Sequence, residues 1–216
     1  MRRLALAAIA ALATAQAAQA QIIQPTIRTR PMAWVSLGAA WMQQADICGA
    51  DAGACWDFGG APQFRASFEL PVGNGAAIGV AATTARVPLI HSSSLVQPGS
   101  CGTCDADANV SQFFGTFRIG GGNLGFHQVI DLSAGTTMYS NFRSTDGTKL
   151  GSGKTVNDMT FGLGYGFGYA LSPRTHVFLV QEWMLVLHER QPGTSENTTA
   201  QQNFRIGGRV ALGEKR

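Results

Sequence analysis

Residues Val156 to Leu171 read VNDMTFGLGYGFGYAL, and their parity decides the fold. The odd positions hold Met159, Phe161, Leu163, Tyr165, Phe167 and Tyr169. The even positions hold Asp158, Thr160, Gly162, Gly164, Gly166 and Gly168. A period of two puts each set on its own face of a strand. A helix would scatter both sets around its circumference, and so many glycines would weaken it. The stretch predicts a β-strand with one greasy face and one small, polar face.

Seven further segments alternate in the same way: 33–43, 61–70, 76–87, 110–119, 124–142, 175–189 and 202–212. The joints between them alternate too. Short turns rich in Gly, Asn and Pro follow the second, fourth and sixth strands, at 71–75, 120–123 and 172–174, and suit tight hairpins. Long polar loops follow the other strands, at 44–60, 88–109, 143–155 and 190–200. Short turns at one end and long loops at the other are the asymmetry of a transmembrane barrel with both termini in the periplasm. The fold class expected is all-β: an eight-stranded antiparallel up-and-down transmembrane β-barrel.

The N-terminus fits export. Arg2 and Arg3 precede an uncharged run from Leu4 to Ala15, and Ala18-Gln19-Ala20 supplies a small-x-small site. These are the parts of a secretory signal peptide, and the apolar run is shorter than the ~20 residues that span a bilayer. The expected organisation is a signal peptide over 1–20, a periplasmic segment over 21–32, the barrel over 33–212 and a tail over 213–216. Charged residues make up 13% of the chain and glycines number 27. Soluble domains carry about 25% charged residues, so this balance favours a membrane barrel. The formal charge is +3, two units of it from Arg2 and Arg3, and no basic run exists, which argues against nucleic acid as a partner.

Period two alone leaves open which face points outward. The interior of an eight-stranded barrel is only wide enough to be filled by side chains. Trp41, Phe64, Phe68, Phe113, Phe117, Phe126, Phe161, Tyr165, Phe167, Tyr169, Trp183 and Phe204 would overfill it. These aromatics are therefore expected to face lipid. The opposite faces then bring Arg65, Glu69, Arg118, Asp131, Asp158, Glu182, Arg205 and Arg209 into the lumen. A charge in so narrow a space is costly unless paired. Arg65 and Arg205 are expected to meet Glu182 and Asp131 across the axis and leave no open channel.

Four cysteines in an exported chain favour disulfides. Of the three pairings, Cys48 with Cys55 and Cys101 with Cys104 keep each bridge within one loop. Other strings imitate sites without completing them. Gly120 to Gly125 spells G-x-G-x-x-G, yet a strand follows where a phosphate-binding helix must stand. Gly151-Ser152-Gly153-Lys154-Thr155 ends like a P-loop but has Thr148 where the motif needs glycine. Asp105, Asp107 and Asn109 open like a calcium loop, but Val110 and Thr116 hold the places of its glycine and glutamate. Cys101-x-x-Cys104 lacks the helix that activates a redox pair. His91, His127, His176 and His188 do not converge with an acid and a hydroxyl on this reading. No catalytic residue, cofactor or metal site is expected, and the protein is read as no enzyme.

Eight strands with three tight turns and four loops resemble the small outer-membrane barrels of the OmpA-transmembrane and OmpX type, over about Ala33 to Leu212. The likeness is architectural. At the slots of the C-terminal sorting pattern stand Arg205, Gly207, Val210 and Leu212, aliphatic where that family has aromatics. The resemblance implies residence in a bacterial outer membrane, with its lipid and the barrel-insertion machinery as partners. The function expected is a structural or surface-interaction role through the four loops. A small-solute pore, a lipid-modifying enzyme and a soluble periplasmic ligand-binding barrel are the alternatives.

Overall fold

A computed structural model describes residues 30–49, 54–73, 75–93, 102–121, 124–145, 155–188 and 198–215. The expected signal peptide and most of the 21–32 segment lie outside the described residues. The strands are β1 (Arg30–Gln44), β2 (Ile47–Gly49), β3 (Ala54–Phe58), β4 (Ala61–Pro71) and β5 (Ala76–Ser93). They continue with β6 (Thr103–Ile119), β7 (Gly125–Ser144), β8 (Val156–Ser172), β9 (Thr175–Leu187) and β10 (Thr198–Lys215). Eight of them close a ring in the order β1, β4, β5, β6, β7, β8, β9, β10, every pairing antiparallel. The first and last strands seal it from Arg30↔Lys215 to Gln44↔Gln201, so the wall runs from Arg30 to Lys215 rather than from Ala33 to Leu212.

Glycines serve the turn after β6. Gly120 and Gly121 have φ of 111° and 95°, angles that only glycine adopts without strain. The G-x-G-x-x-G string is thus a hairpin turn leading into β7.

The loop expectations need correction: β7 runs to Ser144 and β10 already begins at Thr198, and the changes are larger in the other two. Residues 44–60 and 88–109 are not loops throughout, because strands continue into them. β3 prolongs β4 along β5, from Phe58↔Leu89 to Ala54↔Ser93, after a register step at Gly59 and Gly60. β2 pairs with β3, and the Cys48–Cys55 disulfide joins directly opposed residues of the two. Pro88 discouraged a strand here, since proline cannot donate to a ladder. It is tolerated beside the step, where its carbonyl accepts the Gly59 N–H at 2.8 Å. Asp105, Asp107 and Asn109 lie in β6, outside any calcium-type loop, and Asp107 accepts two hydrogen bonds from Arg86 at 2.9 Å each.

Strand lengths set the shape. β5 has 18 residues and β6 has 17, whereas a tilted strand crosses a bilayer in about 9–11. Their upper halves therefore stand clear on the loop side. Below, the outer surface is an apolar belt in which Phe64 is 64% and Phe126 68% exposed. Arg86 with Asp107, Asp57 and Asp105 mark its upper limit on this flank, where the outward side chains turn charged. A contiguous apolar surface of this extent requires hydrocarbon rather than water.

Candidate functional site

The lumen is the only part of the ring where many polar groups converge among the described residues, and it is built in three layers. Near the turn side lies a network of charges. Arg118 donates to both oxygens of Asp131, at 2.7 and 2.8 Å, and its Nη1 lies 3.2 Å from Glu69 Oε1. Arg205 donates to Asp131 and, at 2.9 Å, to Glu182. Arg65 reaches the same Glu182 oxygen at 2.9 Å. Arg209 is held more loosely, 3.8 Å from Glu69 and 3.0 Å from His176 Nδ1. Strand parity brings these side chains inward, and register brings them within reach of one another.

The apolar parts of the same layer are specific. The Phe178 ring lies 4.7 Å from the Arg118 guanidinium and 4.9 Å from that of Arg205, and the Trp34 ring 4.4 Å from that of Arg209. Aromatic faces attract such cations, the more so when water is excluded. Gly164 makes the space: a Cβ there would lie 3.2 Å from both Asp131 Cβ and Glu182 Cγ.

Above the charges lies an amide and hydroxyl layer centred on Gln112. Its carbonyl oxygen accepts from Gln63 and Thr83, and its amide donates to Thr137 and Gln201, all at 2.9–3.0 Å. All four hydrogen-bonding positions of the amide are thereby filled. Gln201 continues to Asn203 at 2.9 Å. The third layer is apolar, with Met42, Phe58, Ala61, Ala85, Val87, Leu89, Ala106, Ala108, Val110, Tyr139 and Val186 in one cluster. Ile47, Trp56 and Phe142 pack over it toward the loops.

Asp158 stands apart from the other lumen charges. It lies at the loop end, where its Oδ2 is 2.6 Å from His188 Nδ1, while His188 Nε2 is 2.9 Å from Thr199 Oγ1. The reading that no histidine converges with an acid and a hydroxyl is corrected here. Thr199 was missed because it fell in a stretch taken as loop. Its inward parity in β10, level with the end of β9, is the signal that finds it. Gln112, Gln63 and Tyr139 were missed as well, since single polar residues among many carry no motif.

The twelve aromatics from Trp41 to Phe204 named above all point away from the axis, exposed or, for Phe117, half-buried. Of the expected disulfides, Cys48–Cys55 is formed. Cys104 is also disulfide-bonded, while Cys101 lies outside the described residues. Near the stapled hairpin, desolvation, the charge of Asp57 and a hydrogen bond with it raise the Asp46 carboxyl above its ordinary value. Among the described residues no three His, Cys, Asp or Glu side chains lie close enough to hold a metal ion.

No protein-family model matches the sequence, and no curated protein does. Solved structures do. Neisserial surface protein A aligns over 83% of this chain and 97% of its own, with a TM-score of 0.52 at 11% identity. OprG from Pseudomonas aeruginosa covers 85% of this chain and 97% of its own, with a TM-score of 0.46 at 13% identity. Ail of Yersinia pestis covers 84% and 99%, with a TM-score of 0.43 at 12% identity. The likeness is one of fold. The chain has the fold of the eight-stranded bacterial outer-membrane barrels, and its apolar belt suits it to that membrane.

Proposed function

We propose that this protein is a closed outer-membrane barrel with a structural or surface-interaction role, its loop side turned out of the cell. The observation that carries the reading is the filled lumen. Three layers of packed side chains fill the lumen among the described residues, which speaks against a pore. The apolar belt speaks against a soluble periplasmic barrel with an inner ligand cavity, because the greasy face is on the outside. A laddered projection, the upper parts of β3, β5 and β6 with the stapled β2, stands on the loop side where a partner would be met.

Two measurements test this. The protein folded into a planar bilayer is expected to give no steady conductance; ohmic channels would replace the reading with a pore. On intact cells, a Cys48→Ser variant frees the Cys55 thiol, which a membrane-impermeant maleimide is expected to label. Labelling only after the outer membrane is breached would reverse the orientation.

A further inference from the structure

We propose that Thr199, His188 and Asp158 form a nucleophilic relay that cleaves carboxylic esters presented at the loop end of the barrel. The inference goes beyond the closed-barrel reading and leaves it intact: the relay lies at the loop end of the lumen, where Thr199 pairs with Val186 of the apolar layer and the His188 ring lies 6.2 Å from that of Tyr139. Its geometry is that of an activated hydroxyl: a nucleophile within hydrogen-bond reach of a base, and the base oriented by an acid. His188 Nδ1 lies 2.6 Å from Asp158 Oδ2, and Nε2 lies 2.9 Å from Thr199 Oγ1. A carboxylate on Nδ1 fixes the tautomer with its proton there, so Nε2 is left to accept the hydroxyl proton.

The surroundings favour this use. The Asp158 side chain is 1% exposed and that of His188 is 15% exposed. The acid is therefore shielded while the base keeps contact with solvent. Asp158 Oδ1 is buried without a hydrogen-bond partner among the described residues, so the carboxylate has few other claims on its charge when imidazolium forms. The histidines at the turn end differ. His176 Nδ1 faces the Arg209 guanidinium at 3.0 Å in place of a carboxylate. Asp158 comes from β8, His188 directly follows the last residue of β9, and Thr199 stands at the start of β10, so paired strands hold the three close.

The chemistry balances. Thr199 Oγ adds to the ester carbonyl carbon as its proton passes to His188 Nε2. The imidazolium, held by Asp158, gives that proton to the departing alcohol as the ester C–O bond breaks, leaving acyl-Thr199. A water molecule, deprotonated by His188, then cleaves the acyl ester, releasing the carboxylic acid and returning the proton to Thr199. The Thr199 methyl group crowds the attack, so serine at this position should react faster.

The test uses the full folded protein in detergent micelles, with its heat-modifiable gel mobility as the check of folding. A fluorophosphonate probe and p-nitrophenyl butyrate report the relay, and phosphatidylethanolamine in mixed micelles distinguishes a lipid ester from a small soluble one. Labelling is expected at Thr199 by peptide mass spectrometry. Thr199→Val and His188→Gln should each lower ester turnover about a hundredfold, the scale of a lost general base. Thr199→Ser should retain or raise turnover, which a merely structural hydroxyl would not do, and Thr198→Ala should change nothing. Background hydrolysis and no labelling in both the folded wild type and folded Thr199→Ser would overturn the proposal, as would labelling that persists in Thr199→Val.

Discussion

The two ends of the lumen solve the same problem by different means. Near the turns, Arg65, Arg118 and Arg205 interlock with Asp131 and Glu182, whereas near the loops Phe58, Leu89, Ala108 and Val186 simply exclude water. Both ends are filled, but they fail differently. An ion network is stable only while every member keeps its counter-charge, since taking charges out of water is expensive. An apolar cluster loses stability roughly in proportion to the volume removed. The charged end is therefore the more specific and the more brittle, and the apolar end the more forgiving.

The sharpest way to break this contrast is Glu182→Ala. It strips Arg65 and Arg205 of a shared partner, and leaving a buried charge unpaired costs about 3–5 kcal/mol. A clear drop in the urea midpoint of the heat-modifiable band is expected, with no new conductance because the apolar layer still closes the lumen. An unchanged midpoint would mean that water already screens the network. Phe58→Ala follows, at about 3 kcal/mol for a large side chain lost from a core. Faster amide hydrogen exchange is expected in β3 and the upper part of β5, with the rungs around Asp131 unaffected. If exchange rose equally at both ends, the layers would be one cooperative unit.

Smaller again is reduction of Cys48–Cys55. Closing so short a loop stabilises by about 2–3 kcal/mol through chain entropy. Reduction should loosen β2 and β3 while leaving the ring's unfolding midpoint in place. The smallest effect belongs to Asp57→Asn, which removes a charge that raises Asp46. A carboxyl whose folded pKa lies above its unfolded value binds more protons when folded, so the hairpin loses stability as pH rises through that window. The variant should flatten this dependence, as followed by carboxyl NMR titration.

Much of the architecture is legible in the sequence because a strand's two faces are read from parity alone. Phe161, Tyr165 and Phe167 separate from Gly164 and Gly166 without any knowledge of neighbours. What parity cannot supply is height, since the level at which Arg205 sits opposite Glu182 depends on the stagger of every hairpin. The relay was illegible for that reason: Asp158, His188 and Thr199 meet only once β8, β9 and β10 are in register. The upper strands were hidden by composition. Pro88, Asp105 and Asp107 are poor strand residues, yet Val87, Leu89, Ala106 and Ala108 alternate with them and are buried. Tertiary burial outweighed local preference there.

The unbroken pairing of β5 with β6, from Ala76↔Ile119 to Ser92↔Thr103, has a mechanical consequence. Hydrogen bonds in such a ladder lie across the strands, and β5 and β6 are also laddered to β4 and β7, so tension applied along this pair at its loop end loads many of those outer bonds together in shear. A tether fixed there would resist drag from flowing liquid better than one fixed to a loop, whose bonds would yield one after another like a zip.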